Sequence, residues 1–326
     1  MKKVLVTGIT GQDGLFLTNI LLDSKKPYEI VGITRDVKSK NQFFNNLNKI
    51  NNNKGLKNSV RLIDIDLLNF EATRDFIQSY APDFVYNLSG PSSVYDSFTD
   101  KSIYDSILKI FDNLTSSLIE NNLFPKFFQA SSSELFANSS EALNESSLLL
   151  PRSPYAKAKL KNHYKVTSLK ENYSWSIYSG LMFNHESEFR KKDYLFPKII
   201  NAALNISRKN QNVLKVGSLD MIRDWAFAGD IVNAIDLLLE KKMYEEYVIG
   251  SGVGTTIENI ISYVFGYFDL DYKKFIEIDS SLLREGAPQS IVSDPTKVSN
   301  LGWKPTHNIF MLLDRCISYK VNSTTA

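Results

Sequence analysis

The sequence contains few of the residues from which disulfides and metal sites are built. Cys316 is the single cysteine, and the three histidines are His163, His185 and His307. One cysteine excludes an internal disulfide, and histidines so far apart in the chain lack the spacing of zinc ligands. We therefore expect neither a structural disulfide nor a bound metal.

The net charge is small, and long apolar runs are absent from the sequence. The 38 basic and 36 acidic residues leave a formal net charge of +2, so no overall field attracts nucleic acid or a membrane surface. No apolar stretch is long enough to span a membrane, and the apolar run in MKKVLVTG is too short for a signal peptide. We expect a cytoplasmic protein that binds neither nucleic acid nor membranes.

Glycine is sparse in the chain, but three of the fifteen glycines lie close together near its start. The segment TGITGQDG places Gly8, Gly11 and Gly14 three residues apart, whereas about 0.03 such triplets are expected by chance from 15 glycines in 326 residues. The apolar run 4–6 precedes this turn, and a helical apolar pattern from Leu15 follows it. This order predicts the first turn of a dinucleotide-binding fold, where N–H groups at a helix N-terminus hold a pyrophosphate.

Short apolar runs alternate with helical patterns over the first half of the chain. They predict strands at 30–33, 60–65, 84–88, 127–130 and 176–182, and helices near 69–80, 102–121 and 154–171. The asparagine-rich stretch 39–58 interrupts this alternation and is interpreted as a surface excursion.

The alternation predicts an α/β fold with a doubly wound parallel sheet. We expect a Rossmann-like, NAD(P)-binding domain over residues 1–182 and a smaller substrate-binding lobe over 183–326. Residues 225–240 read as a helix, so the segment 219–241 is expected to return to the first domain.

Two Tyr-x-x-x-Lys pairs occur, at 155/159 and at 194/198, and one helical turn puts both side chains of a pair on one face. Only the first pair follows a helix-initiating PRSP and an SSSE segment at the end of an apolar strand, where open α/β sheets bind ligands. A tyrosine with its ordinary pKa of about 10 acts as a base near neutral pH only where cations stabilise the phenolate. The candidate acid–base set is Ser132, Glu134, Tyr155 and Lys159.

Seven segments occur in one order from about residue 4 to residue 305: TGITGQDG, YNLSG, FQASSSELF, PRSPYAKAKL, FNHES, RDW and DPTK…LGWKP. In this order the chain resembles the GDP-mannose 4,6-dehydratases, which are extended short-chain dehydrogenase/reductases acting on nucleotide sugars. TGxxGxxG and YxxxK are general to that superfamily, whereas GQDG, PRSPY, FNHES and RDW are closer to the dehydratase branch.

The resemblance implies conversion of a GDP-hexose, foremost GDP-mannose, to the 4-keto-6-deoxy sugar without net oxidation. In that reaction Tyr155 takes the proton of the C4 hydroxyl, and Lys159 is its cationic partner and bonds the cofactor ribose. Glu134 removes the C5 proton and helps to expel the C6 hydroxyl as water, while Ser132 orients the C4 oxygen.

The resemblance also implies which residues bind the ligands, and a homodimer or homotetramer. The implied cofactor residues are Gly8, Gly11, Gln12, Asp13, Gly14, Arg35, Asp66, Leu67, Leu88, Tyr155 and Lys159. The implied GDP-sugar residues are Ser89, Asn184, Lys198, Arg223 and Arg284. Arg35 favours NADP because a guanidinium there can hold a 2′-phosphate, whereas Asp36 could receive the ribose hydroxyls of NAD.

Positions near the ribose and near the sugar depart from the family pattern. The end of the second strand reads Thr34-Arg35-Asp36 against a usual pair of arginines, so the choice between NADP and NAD stays open. Pro91, Ser93 and Ser132 stand where the mannose enzymes usually have glutamine, histidine and threonine, so the hexose stays open. One alternative is a nucleotide-sugar 4-reductase or epimerase, which would need added reduced cofactor or would invert C4 without losing water. Another is a non-catalytic NAD(P)-binding regulator, which would have no use for the whole acid–base set.

Overall fold

The computed structural model describes residues 1–51, 58–241, 244–283 and 286–325. The chain divides into two units. Unit 1 comprises Met1–Leu135, Leu149–Met182 and Val232–Tyr247, and unit 2 comprises Phe136–Leu148, Phe183–Ile231 and Val248–Ala326.

Unit 1 alternates strands with helices. Its strands are β1 (Lys2–Thr7), β2 (Tyr28–Thr34), β3 (Ser59–Asp64), β4 (Phe84–Asn87), β5 (Lys126–Ala130) and β6 (Ile177–Met182). Its helices are α1 (Gln12–Asp23), α2 (Val37–Asn51), α3 (Phe70–Tyr80), α4 (Ser102–Glu120) and α5 (Pro154–Tyr173). Single 3₁₀ turns lie at Asp96–Phe98 and Ser133–Leu135.

The elements that follow are shorter. The strands are β7 (Asn184–Glu186), β8 (Leu214–Val216), β9 (Ile222–Phe227), β10 (Tyr247–Ile249), β11 (Gly254–Thr256), β12 (Ile276–Ile278) and β13 (Ser290–Ile291). The helices are α6 (Leu195–Ser207), α7 (Ala228–Glu240), α8 (Ile257–Tyr267), α9 (Thr296–Ser299) and α10 (Ile309–Thr325), with 3₁₀ turns at Tyr272–Lys274 and Ser280–Leu282. Helix α7 begins in unit 2 and continues in unit 1.

The central sheet has seven strands in the order β10-β6-β5-β4-β1-β2-β3. Strands β1 to β6 run parallel to their neighbours. The chain moves outward from β1 to β3 and then resumes on the other side with β4, so the topological switch point lies between β1 and β4. The predicted doubly wound α/β fold is confirmed.

Unit 2 has its own small sheets. Strand β9 pairs with β11 antiparallel and with β7 and β13 parallel, and β8 pairs with β12. Among the helices of the described ranges, none combines the length and the apolar character needed to cross a bilayer.

Apolar side chains from strands and helices fill the core of unit 1. Leu5, Val85 and Phe127 from successive strands are fully buried in one cluster with Leu114 of α4 and Trp175. These strands read as continuous apolar runs because a parallel sheet is covered on both faces. The core therefore holds the strand ends, which carry the candidate site, in fixed register.

Two local predictions are wrong. The stretch interpreted as a surface excursion contains α2 as far as residue 51, because Phe43 and Leu47, one helical turn apart, are buried and α2 packs on α1. Residues 52–57 of that stretch lie outside the described residues. The helix predicted from Trp225 begins only at Ala228, because residues 222–227 pair with three neighbouring strands as β9.

Candidate active site

The glycine turn joins β1 to α1 at the carboxyl edge of the sheet. Gly8 has φ +67°, and a Cβ there would lie 2.6 Å from the Leu88 carbonyl oxygen. A Cβ on Gly14 would lie 2.5 Å from the Ile9 backbone. Gly11 is the N-cap of α1 and provides no side-chain cap. The turn thus packs as only glycines allow and presents a helix N-terminus, which fits the pyrophosphate of a dinucleotide.

The ends of β2 and β3 carry the residues expected near the adenosine ribose. The side chains of Arg35 and Asp66 are 63% and 53% exposed, and Arg35 Nη1 lies 4.0 Å from Asp66 Oδ1. Asp36 Oδ1 accepts a hydrogen bond from the Lys38 N–H at 2.9 Å and so caps the start of α2. A guanidinium accessible at this edge is suited to a phosphate.

The other residues expected to bind the cofactor lie at the same edge. Gln12 and Asp13 form the first turn of α1, Leu67 follows β3, and Leu88 follows β4. The Leu88 N–H donates to the Thr7 carbonyl at 3.3 Å. These residues therefore lie in the segments that follow β1, β3 and β4, at the carboxyl edge of the sheet.

Helix α5 carries the tyrosine and the lysine of the acid–base set. Ser153 Oγ accepts the Ala156 N–H at 3.0 Å and Pro154 opens the helix, an arrangement that fixes where its first turn begins. Tyr155 and Lys159 are each 7% exposed, and Lys159 Nζ lies 5.8 Å from the Tyr155 ring centroid. The predicted one-turn spacing therefore brings the two side chains together in a shielded place.

Lys159 is buried at the end of β5. Its Nζ donates to the Ala130 carbonyl at 2.9 Å. Burial lowers the pKa of Lys159 to about 8, and the nearby Asp13 carboxylate partly opposes this change. An ammonium with a pKa in this range is poised to exchange a proton near neutral pH.

Ser132 and Glu134 lie in the segment after β5, and both are half-buried. The Glu134 N–H donates to Ser132 Oγ at 3.2 Å. The Leu135 carbonyl accepts the Leu150 N–H at 2.8 Å, which anchors the 3₁₀ turn Ser133–Leu135. Helix α5 packs against this turn, so a hydroxyl, a carboxylate, a phenol and an ammonium come from two adjoining elements of unit 1.

Three buried polar side chains that were not among the candidate residues lie at the ends of β1 and β4 and one residue before the end of β5. Thr7 Oγ1 donates to Asn87 Oδ1 at 2.6 Å, and Asn87 Nδ2 donates to Gln129 Oε1 at 2.7 Å. Ser89, expected at the substrate, donates to Asn87 Oδ1 at 2.7 Å. Each is a polar residue beside an apolar strand run, a signal that the sequence does carry, but the pairing across strands is visible only in the fold.

Unit 2 holds the other residues expected at the substrate. Asn184 on β7 pairs in register with Trp225 on β9. Arg223, also on β9, is buried, and its guanidinium donates to the carbonyls of Ile222 at 2.7 Å and Pro288 at 2.8 Å. Lys198 is exposed on α6, and Arg284 lies outside the described residues. Within the described ranges, no group of three or more His, Cys, Asp or Glu side chains is arranged to hold a metal ion.

Comparison with known proteins assigns the chain to a family. The family model for GDP-mannose 4,6 dehydratase matches residues 5–316. GDP-mannose 4,6 dehydratase 2 of Arabidopsis thaliana is 35% identical over 315 residues, which cover 93% of this chain and 83% of that protein. The chain belongs to the GDP-mannose 4,6-dehydratase family. The resemblance drawn from the sequence motifs is thereby confirmed.

Several solved structures share the fold of this chain. RMD from Pseudomonas aeruginosa, complexed with NADPH, superposes with a TM-score of 0.79 at 21% identity, covering 98% of this chain and 99% of that one. The dTDP-glucose 4,6-dehydratase of Bacillus anthracis, in complex with NAD, superposes with a TM-score of 0.83 at 20% identity, covering 100% and 98%. At these identities the likeness concerns the fold.

Burial of the charged Lys159 side chain is expected to lower the free energy of unfolding of this protein. Its pKa of about 8 lies below the ordinary 10.5, so folding loses stability as the pH falls from 10.5 to 8, and the loss is complete below pH 8. Without cofactor, Lys159→Met is expected to raise the free energy of unfolding by on the order of 3 kcal/mol at pH 7. Urea unfolding at pH 7 and pH 10 measures this gain, which shrinks at the higher pH.

The control for this prediction is Lys157→Met, which changes an exposed lysine on the same helix. We expect that variant to match the wild type at both pH values. A Lys159→Met protein no more stable than the wild type at pH 7 would contradict the cost assigned to the buried ammonium.

Proposed function

We propose that this chain is a GDP-mannose 4,6-dehydratase, which converts GDP-mannose to GDP-4-keto-6-deoxymannose and water. The observation that carries the proposal is the packing of α5, with Tyr155 and Lys159, against the turn Ser133–Leu135, which holds Glu134 and directly follows Ser132. Oxidation and reduction at C4 need only the tyrosine and the lysine. A carboxylate beside them is required when a C–H proton must also be removed, which supports dehydration over simple reduction.

The first half of the reaction is oxidation at C4. Bound nicotinamide dinucleotide supplies the hydride acceptor and later the hydride donor, and no cofactor is consumed. Tyr155 takes the proton of the C4 hydroxyl, while Ser132 holds the C4 oxygen in place. The Lys159 ammonium stabilises the phenolate of Tyr155 in a site shielded from water.

The second half is loss of water across C5 and C6. The C4 ketone makes the C5 proton acidic, so Glu134 can remove it only after Tyr155 has acted. The same carboxyl then delivers a proton to the C6 hydroxyl, which leaves as water as the C5–C6 double bond forms. Hydride addition at C6 and protonation at C5 complete the 4-keto-6-deoxy sugar.

The remaining residues are proposed to bind the substrate and the cofactor. Unit 1 would hold the dinucleotide through its glycine turn. In unit 2, Asn184 and Lys198 would engage the diphosphate or the nucleoside. Arg223 would join them if its planar guanidinium exchanged its bonds to the Ile222 and Pro288 carbonyls for two phosphate oxygens. Arg284 is proposed for the same role from its sequence position alone.

We further propose NADP as the preferred cofactor. Arg35 is exposed at the end of β2, where a 2′-phosphate would lie. The competing residue for NAD, Asp36, already uses one carboxylate oxygen to cap α2. A carboxylate committed to a helix N-terminus is less available to two ribose hydroxyls, which supports the arginine as the deciding group.

Arg35→Ala is expected to weaken NADP binding by about 10- to 100-fold, because it removes a charge-assisted contact to the 2′-phosphate. NAD binding should change by less than about twofold, since NAD has no phosphate there. Calorimetric titration of both cofactors measures the two effects. Arg61→Ala, which removes a similarly exposed arginine from β3, is the matched control. NAD binding tighter than NADP in the wild type, and indifferent to Arg35→Ala, would refute the choice.

A substrate panel tests the proposed activity. Purified protein is incubated with NADP and, separately, GDP-, CDP-, dTDP- and UDP-hexoses, and each mixture is analysed by mass spectrometry. We expect GDP-mannose alone to lose the mass of one water without added reduced cofactor. Turnover of only a UDP- or dTDP-sugar would refute the nucleoside, and a product of unchanged mass with inverted C4 would identify an epimerase.

A further inference from the structure

A chain of buried hydrogen bonds runs along the carboxyl edge of the sheet from the glycine turn to the catalytic lysine. It starts at Thr7, the residue before Gly8, and passes through Asn87 at the end of β4 to Gln129 on β5. Gln129 Nε2 donates to the Ala130 carbonyl at 2.9 Å. The same carbonyl accepts Lys159 Nζ at 2.9 Å.

Every residue in this series of hydrogen bonds is shielded from solvent. Thr7, Asn87 and Gln129 are 0%, 1% and 2% exposed, and Lys159 is 7% exposed. Unpaired amides at such depth are costly, so their orientation is fixed by their partners. The Thr7 and Ser89 hydroxyls both donate to Asn87 Oδ1, which turns Asn87 Nδ2 toward Gln129 and Gln129 Nε2 toward Ala130.

We propose that Gln129 is a positioning residue that sets the place and the proton affinity of the Lys159 ammonium through the carbonyl that the two side chains share. The proposal rests on the catalytic role given above to Tyr155 and Lys159. It adds Gln129, a residue that the proposed mechanism does not otherwise use.

Position follows from the geometry. A lysine side chain has four rotatable bonds and is held only as well as its hydrogen bonds hold it. In the described part of the chain, the Ala130 carbonyl is the hydrogen-bond partner of Lys159 Nζ. Ala130 is the last residue of β5 and pairs in register with Gly180 of β6, and Gln129 adds a second bond to its oxygen. The Gln129 amide and the Lys159 ammonium thus share one carbonyl oxygen, on a residue that the sheet holds in register.

Proton affinity follows from the charges around the ammonium. Asp13 on α1 and Tyr155 on α5 face Lys159, and the Asp13 carboxylate favours the charged form. The Gln129 N–H on the shared oxygen carries partial positive charge and occupies a lone pair, so it weakens what the carbonyl offers the ammonium. Removing that N–H should therefore raise the pKa of Lys159.

Two substitutions separate these effects. Gln129→Met keeps the length of the side chain but has neither donor nor acceptor for its neighbours. Gln129→Glu keeps an acceptor for Asn87, and while protonated it also keeps an O–H donor for Ala130, so it can replace glutamine at low pH and fails when it ionises. Phe128→Leu is the control, because Phe128 is equally buried on the same strand and outside the chain of hydrogen bonds.

The direct measurement is NMR titration of Lys159 in cofactor-free protein labelled with ¹³C at lysine Cε. Its signal is the one absent from Lys159→Met. In Gln129→Met we expect the titration midpoint to move upward by about 0.5 pH unit relative to the wild type, and in Phe128→Leu to stay in place. An unmoved midpoint in Gln129→Met would overturn the proposal.

Kinetics give the second measurement. Gln129→Met should lower kcat about tenfold relative to the wild type at each pH, with KM for GDP-mannose little changed. In Gln129→Glu, kcat should be lower than in the wild type by less than about threefold near pH 5.5 and by about tenfold at pH 8. A ratio to wild type that is the same at both pH values in Gln129→Glu would overturn the proposal. Because Gln129→Glu preserves the shape of the side chain, its kinetics still test the proposal if Gln129→Met does not fold.

The titration and the kinetics fail separately. Since the NMR titration needs no substrate, it reports on Gln129 whatever sugar the protein converts. A wild type that removes no water from GDP-mannose refutes the proposed function, whereas an active wild type with an unmoved Lys159 midpoint in Gln129→Met refutes the positioning role.

Discussion

Replacing Glu134 by glutamine is expected to stop the reaction after oxidation at C4. Glutamine keeps the size of the side chain, and the backbone contact from the Glu134 N–H to Ser132 Oγ is independent of the substitution. The glutamine side chain cannot take the C5 proton, so formation of dehydrated product should fall by about 10²–10⁴-fold. Oxidation at C4 does not need the carboxylate and continues.

The distinctive signature of this variant is accumulation. Adding GDP-mannose to Glu134→Gln loaded with NADP should raise the absorbance of reduced nicotinamide up to the enzyme concentration, with little product. Glu141→Gln removes an exposed carboxylate seven residues further on and should behave as the wild type. Full water-loss activity in Glu134→Gln would refute the role of this glutamate, and the reductase or epimerase alternatives would then be preferred.

Tyr155→Phe should abolish both signals. The ring packs among Ile103 and Ile107 of α4, and phenylalanine keeps those contacts, so the fold and the cofactor site should be retained. The hydroxyl is the proposed base for the first step, and without it oxidation at C4 should fall by about 10²–10⁴-fold. Neither reduced nicotinamide nor dehydrated product should then form.

The chain offers a matched control for this tyrosine. Tyr194 belongs to the second Tyr-x-x-x-Lys pair, and its ring lies 3.6 Å from the Arg190 guanidinium carbon, a contact that phenylalanine retains. Tyr194→Phe should keep near wild-type kcat. Stopped-flow absorbance and product analysis compare the two variants, and equal losses in both would show that the helical spacing alone does not identify the base.

Local patterns were sufficient to predict the fold class. The glycine turn between an apolar run and a helical pattern gives the β1–α1 unit, because its backbone demands are local: Gly8 has positive φ, and Gly14 contacts Ile9. Helix α2 was missed because few apolar residues, Phe43 and Leu47 among them, mark its buried face among many asparagines. Strand β9 was missed for the opposite reason, since its apolar run continues directly into α7.

The candidate site residues stay predictions from sequence motifs, and the hydrogen-bond network around them could not be predicted at all. Strand order brings the ends of β1, β4 and β5 side by side, and the sequence does not state that order. The contact from Asn87 to Gln129 joins residues 42 positions apart, and the bond from Lys159 to the Ala130 carbonyl depends on how α5 lies on the sheet. Side-chain hydrogen bonds between distant segments follow from packing, which no local pattern encodes.

The most direct test of the account is the reaction of wild-type protein with GDP-mannose and NADP in D₂O, followed by mass spectrometry and proton NMR of the product. If Glu134 removes the C5 proton after oxidation at C4, the product has lost one water and carries one solvent deuterium at C5. A product without solvent deuterium, or a sugar that keeps its C6 hydroxyl, would contradict the dehydration proposed here.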